Sequence, residues 1–169
     1  RKMASDIDEM EKMLNDYLQY AKSQSEEDYT NINISEMLNG LLKNYDSSKY
    51  ELKISEDIEV QGRSNLVRRS VGNIIENGLS YGKKVFVEAK KTVGSAIIIV
   101  EDNGPGIPQK EYQNVFKPFY RIDKSRSLNK SGVGLGLSIA QDIVKSHGGN
   151  ISLSESKHKG LAVKISLPF

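Results

Sequence analysis

The run Ala96-Ile97-Ile98-Ile99-Val100 constrains this chain more than any other stretch, because Glu101-Asp102-Asn103-Gly104-Pro105-Gly106-Ile107 follows it directly. So apolar a run reads as a strand buried in a sheet. Gly and Pro cannot continue that strand and force a turn. The turn leaves one carboxylate, Asp102, at the mouth of the sheet beside exposed backbone. Gly104 and Gly106 carry no Cβ, so a flat or bulky group can come close to that backbone.

A second glycine run, Gly132-Val133-Gly134-Leu135-Gly136-Leu137, leads into Leu135, Ile139, Ile143 and Val144 at helical spacing. A glycine loop opening a helix offers free N–H groups at the positive end of the helix dipole, which is a phosphate-binding arrangement. It lacks the Gly-Lys-Ser/Thr of a P-loop. It also follows a polar loop instead of a strand, which excludes the Rossmann fingerprint.

With 169 residues and 37% apolar content, the chain can bury one core and carry an appended element. Its 24 basic and 22 acidic residues leave a formal charge of only +2, which argues against nucleic acid as a partner. No apolar stretch approaches the roughly 18 residues of a membrane span, and no signal peptide is seen. The absence of cysteine excludes disulfides and thiolate metal sites and fits a cytoplasmic setting. Two isolated histidines, His147 and His158, cannot make a zinc cage, and both read as ordinary surface residues. Because the first residue is Arg1, a piece of a longer protein is expected.

Met3, Ile7, Met10, Leu14, Tyr17 and Ala21 alternate in steps of four and three, the seam of a coiled-coil or bundle helix. Residues 1–24 are therefore expected to form a helix that seeks a partner helix. The aperiodic stretch 25–34 is expected to be a linker, and 35–169 the main domain. Within that domain the pattern gives a helix from Ser35-Glu36 through Leu42, strands at 50–54 and 58–61, and a helix from Arg63 to Tyr81. A hairpin follows around Thr92–Ser95, then a short helix at 108–115 and a long polar loop at 117–131. A helix from Val133 to Ser146 with a glycine stop and two last strands complete the chain. Helices and hairpins mixed without a βαβ repeat predict an α/β two-layer sandwich, with helices on one face of a mixed, mostly antiparallel sheet.

On the helix 63–81, Val67, Val71, Ile74, Ile75 and Gly78 form the core stripe, and Asn73, Asn77 and Tyr81 line up beside it at i, i+4 and i+8. Asn is mildly disfavoured inside helices, so two in register call for a reason: solvent exposure, or an amide oxygen for a hard cation or phosphate.

Asn73-x-x-x-Asn77, Asp102-x-Gly104-x-Gly106-Ile107, Phe116-x-x-Phe119 and Gly132-x-Gly134-x-Gly136 occur in this order. Together they resemble the ATP-binding catalytic domain of bacterial sensor histidine kinases, in the superfamily shared with gyrase and Hsp90-type proteins. The resemblance covers about 31–169, and Phe116-Lys-Pro-Phe-Tyr-Arg121 is similar to the osmosensing-type subgroup. The N-terminal helix resembles the second helix of the dimerisation and histidine-phosphotransfer hairpin. It implies ATP/ADP and Mg²⁺ as ligands, a homodimer through the N-terminal helix, a response-regulator receiver domain as partner, and a parent protein anchored in the inner membrane.

Position by position, the resemblance implies that Asp102 accepts the adenine amino hydrogen bond, with Gly104 close by. Gly106 and Ile107 would shape the purine pocket, and Tyr81 would line it. Asn77 would coordinate Mg²⁺, with Asn73 on the phosphate side. The segment 116–131 would be a mobile lid anchored by Phe116 and Phe119. Arg121 and Arg126 would reach phosphate oxygens. Gly132, Val133, Gly134, Leu135, Gly136 and Leu137 would offer backbone donors to the triphosphate.

Two departures stand out. Ser80 occupies the place where such kinases often carry Lys or Arg, so one phosphate contact is expected to be either missing or supplied by Arg121. Asn73 stands where the hydrolysing relatives have Glu, and an amide cannot act as a base, which favours transfer over hydrolysis. No His-Asp/Glu-x-x-x-Pro pattern occurs, so the phosphoacceptor histidine is expected elsewhere. Two other readings are a non-catalytic nucleotide-binding regulatory module and an anti-sigma-type serine kinase, the latter disfavoured by the bundle-like helix.

Overall fold

The computed structural model describes residues 27–120 and 135–169, together with 3–5, 7, 8, 10–12, 14, 15, 17 and 18. The described residues between 3 and 18 are helical (α1). Their apolar seam faces solvent: Met3, Ile7, Met10, Leu14 and Tyr17 are all exposed.

The main body follows as β1 (Thr30–Asn33), α2 (Ile34–Leu42), β2 (Tyr50–Ile54), β3 (Glu59–Gly62) and α3 (Ser64–Tyr81). After these come β4 (Val85–Lys91), β5 (Ser95–Asp102), α4 (Gly136–Ser146), β6 (Asn150–Glu155) and β7 (Leu161–Pro168). Five strands form one sheet in the order β2-β4-β5-β7-β6, with only β2–β4 parallel. The apolar run lies at its centre, between β4 and β7, with Val100 opposite both Val87 and Val163. Ala96, Ile98 and Val100 point into the helix layer and are almost wholly buried. Val67, Val71, Ile74, Ile75 and Gly78 of α3 are buried as the sequence stripe requires. The α/β two-layer sandwich with a mostly antiparallel sheet is thus observed.

Several local expectations change. The stretch expected as linker contains β1, which pairs antiparallel with β3, Ile32 opposite Val60. Asn33, rather than Ser35, caps α2: its Oδ1 accepts from Glu36 N at 3.0 Å. Both strands expected at 50–54 and 58–61 form, the second as Glu59–Gly62, and they lie in different sheets: β3 joins β1 while β2 runs parallel to β4. A strand's period fixes which side chains point inward but not which neighbour it takes. The 108–115 helix is instead two short 3₁₀ turns, Gln109–Glu111 and Asn114–Phe116. The glycine stop of α4 holds: Gly148, at φ +75°, and Gly149 donate back to Lys145 and Val144 carbonyls.

Candidate functional site

The end of β5 delivers Asp102 into the interior of the molecule, where it is 6% exposed. Its Oδ1 accepts from Gly104 N at 2.9 Å and from Leu161 N at 3.3 Å. The first bond closes the turn that the glycines and proline impose, and the second ties the turn to the start of β7. Oδ2 accepts nothing from the described residues and keeps contact with solvent. It faces α3, since a Cβ at Gly78 would stand 3.8 Å from it. Burial raises the Asp102 pKa above the ordinary carboxylate value, against the lowering pull of the two N–H donors. The result is one half-dry carboxylate with a single open oxygen. Such an oxygen suits an N–H donor on a flat ring and does not suit a second anion.

The walls follow from glycine contacts. A Cβ at Gly104 would lie 2.7 Å from Tyr81 O, so the end of α3 and the turn after β5 meet backbone to backbone. Asn103 fastens that meeting: its Oδ1 accepts from Lys83 N at 2.8 Å and Lys84 N at 3.0 Å. Gly106 takes φ +75° and lies against the Lys159 carbonyl, while Ile107 packs on the core. Tyr81 is 46% exposed at the rim.

Farther along α3, Asn77 is half-buried, and its carboxamide makes no hydrogen bond with a described residue. One turn earlier, Asn73 Nδ2 donates to Gly136 O at 3.4 Å, joining α3 to the first residue of α4. Leu135 is the N-cap of α4 without a side-chain cap bond, so the first N–H groups of that helix have no partner from within it. Its side chain and that of Leu137 are buried. The Asn77 carboxamide on α3 and amides of α4 that lack a partner within their own helix fit a phosphate chain with a hard cation, which takes few protein oxygens and keeps waters and phosphates. Among the described residues no cluster of three His, Cys, Asp or Glu exists to hold a metal alone.

The structure therefore brings Asn73, Asn77 and Tyr81 together with Asp102, Gly104, Gly106 and Ile107 at one end, and with Leu135, Gly136 and Leu137 at the other. Phe116 packs on the core, whereas Phe119 is 64% exposed at φ +66° and makes no described ring contact or hydrogen bond with the rest of the site. Tyr120 anchors that stretch by donating its hydroxyl to Glu111. Arg121, Arg126, Gly132, Val133 and Gly134 lie outside the described residues. Asp102 lines neither of two open grooves of about 500 and 350 Å³, although Asn73 lies on the wall of the smaller one. The buried carboxylate, not concavity, marks the site.

Residues 62–169 match the family described as histidine kinase-, DNA gyrase B-, and HSP90-like ATPase. The chain belongs to this ATPase family. It is 28% identical to the sensor histidine kinase GtrS of Pseudomonas aeruginosa over 169 residues, covering 99% of this chain and 35% of that protein. It is 30% identical to the sensor histidine kinase WalK of Bacillus subtilis over 180 residues, covering 98% of this chain and 29% of that protein. Among solved structures, the mycobacterial sensor histidine kinase MprB superposes with a TM-score of 0.72 at 26% identity, covering 83% of this chain and 97% of that one. The chain spans about a third of the length of the curated relatives it matches. The family so described is one of ATPases, which bears on the nucleotide proposed below.

Asn103 and Gly160 escaped the sequence reading. The first sits inside a turn motif where any polar residue looks like turn chemistry. The second approaches Asp102 from 58 positions along the chain, and no local pattern announces it.

Proposed function

We propose that this chain binds ATP with Mg²⁺ and presents the γ-phosphoryl group to a histidine carried on another helix, for relay to a response-regulator receiver domain. The observation that carries the reading is the Asp102 carboxylate, with Oδ1 fixed by two backbone donors and Oδ2 open toward α3. Oδ2 would accept the adenine amino group, and the rim beside Tyr81 and Ile107 would flank the ring. Asn77 would supply one oxygen to Mg²⁺, which neutralises charge developing on the phosphates. Asn73, bonded to Gly136, would hold the start of α4 against the phosphate chain. In the transfer step the bond from the γ-phosphorus to the bridging oxygen breaks, ADP leaves with that electron pair, and the imidazole nitrogen bonds to phosphorus. Positioning and electrostatics carry such a step. Arg121 and Arg126 are assigned to the phosphates on the sequence resemblance alone, as is the osmosensing-type subgroup.

The exposed seam of α1 supports a homodimer through that helix; residues 1–24 are assigned to the partial bundle helix and 35–169 to the catalytic domain, to which β1 adds the last part of the 25–34 connecting segment. A cytoplasmic location on a membrane-anchored parent goes with the sensor-kinase reading, and no helix among the described residues is long and apolar enough to cross a membrane.

The test is titration calorimetry of ATP with and without Mg²⁺ on the chain and on Asn77→Ala, followed by incubation with γ-labelled ATP. ATP should bind, Asn77→Ala should lose the Mg²⁺-dependent part of the affinity, and label should stay off this chain alone but appear on an added chain that supplies the histidine helix. Label on this chain alone, or a Mg²⁺ effect untouched by Asn77→Ala, would refute the assignment.

A further inference from the structure

Helix α3 begins without help from its own N-cap residue: Arg63 makes no side-chain cap bond. The first amides are taken by a residue 36 positions earlier. Glu27 Oε2 accepts from Asn65 N at 2.7 Å, and Oε1 from Leu66 N at 3.1 Å. One carboxylate thus satisfies two orphan donors at the positive end of an 18-residue helix. Arg63 completes the clasp from the other side. Its Nε donates to Glu27 O at 3.0 Å, and its guanidinium lies 5.4 Å from the centre of the Tyr29 ring.

The clasp also reaches α4. Arg63 N donates to His147 Nε2 at 3.0 Å, and the His147 ring lies 5.5 Å from that of Tyr29. Nε2 must then offer a lone pair, which puts the ring proton on Nδ1, 2.8 Å from the Ile143 carbonyl. Gly62 leaves the room this needs, since a Cβ there would stand 2.9 Å from His147 Cδ2.

Helices α3 and α4 are therefore pinned twice, by Arg63 to His147 and by Asn73 to Gly136. From Arg63 to Asn73 is ten residues and from Gly136 to His147 eleven, lengths of about 15 and 16.5 Å at 1.5 Å per residue. The two pins thus sit at opposite ends of an antiparallel helix pair. Between them Leu66, Leu135, Ile139 and Ile143 form a small buried cluster separate from the main core. A change at one pin is passed toward the other through this cluster and through Val67, Val71, Ala140 and Val144 of the main core beside it.

We propose that Glu27 and Tyr29, with Arg63 and His147, form a latch by which the segment ahead of the ATPase domain sets the register of α3 against α4, and through it the Asn73–Gly136 contact. The latched segment leads from the exposed helix α1 to the domain, so release of Glu27 is a route by which movement of that helix alters the nucleotide site. This last step rests on the functional reading above; the mechanical coupling does not.

The test starts without nucleotide. In NMR spectra of the whole chain, Glu27→Ala, Tyr29→Ala and Gly62→Ala should shift the Asn73 carboxamide and Gly136 amide resonances. Tyr29→Phe, which keeps the ring, should leave them at the parent positions. ATP affinity should then fall about fivefold or more in the three disruptive variants and stay unchanged in Tyr29→Phe. Unmoved Asn73 and Gly136 signals in folded Glu27→Ala would overturn the latch. Shifted signals with unchanged ATP affinity would overturn its link to the nucleotide site. A parent chain that fails to bind ATP sinks the functional reading and leaves the register claim to be decided by the resonances alone.

Discussion

Gly160 stands so close behind Asp102 that a Cβ on it would lie 2.0 Å from Oδ1 and 2.3 Å from the backbone oxygen. Neither obstacle is the free end of a flexible side chain: Oδ1 is held by Gly104 and Leu161, and the carbonyl belongs to the central strand. Gly160→Ala must push the β6–β7 turn away from the carboxylate. It should cost about 1–3 kcal/mol of stability, read as a lower denaturant midpoint at constant slope. It should also weaken ATP binding. A variant as stable as the parent would mean that the turn yields freely.

Asp102→Asn tests the direction of the hydrogen bond at the purine. The new carboxamide can still accept from Gly104 and Leu161 through its oxygen, but it then turns an NH₂ toward the place of the adenine amino group. Donor would face donor. The loss of a charged acceptor is worth about 1.5–3 kcal/mol, so ATP affinity should fall roughly tenfold to a hundredfold. Unchanged affinity in a titration would show that the purine binds elsewhere.

The same carboxylate sets a pH dependence with opposite signs for stability and binding. Its folded pKa is raised by burial, so between its unfolded and folded values the native state holds the extra proton. Stability should therefore be favoured at the acid side of that window and decline as pH rises through it, a decline missing from Asp102→Asn. Adenine binding needs the ionised acceptor and should weaken as pH falls through the same window, starting above the range of an ordinary carboxylate. Paired denaturation and adenosine-binding series on the parent and Asp102→Asn check both signs.

Asn103→Ala removes the shared acceptor of the Lys83 and Lys84 amides, which cap the link between α3 and β4. Those amides stand beside solvent, so the expected loss of stability is modest, about 1 kcal/mol. The larger effect should be on ATP affinity, because the turn holds Tyr81 and Gly104 in contact. Equal loss of stability and no loss of affinity would reduce Asn103 to a turn residue.

Met10→Lys with Leu14→Lys places two charges on the exposed seam of α1. Sedimentation should show weaker self-association in the double variant, with ATP affinity unaltered. If the parent chain is already a monomer at high micromolar concentration, this seam does not pair copies of the chain unaided.

The period of the apolar residues was enough to place the central strand, the buried face of α3 and the glycine stop of α4, because those depend on a neighbour three, four or two positions away. The same local chemistry made Asp102 and the two asparagines legible as a site. It did not reveal that Thr30–Asn33 is a strand, since a short edge strand has too few residues for a period and takes its reason from β3. Nor did it mark His147, read as an ordinary surface residue, whose importance comes from Arg63, 84 positions away.

The chain's own order of residues thus decided what each element is and which chemical groups it offers. Tertiary structure decided which of those groups meet: Oδ1 of Asp102 with Leu161, Asn73 with Gly136, and Glu27 with the first amides of α3. Backbone preference and hydrophobic period act over a few residues, so they are written locally. Hydrogen bonds between distant segments depend on how the packed sheet and helices bring those segments together, and no short stretch of sequence contains that information.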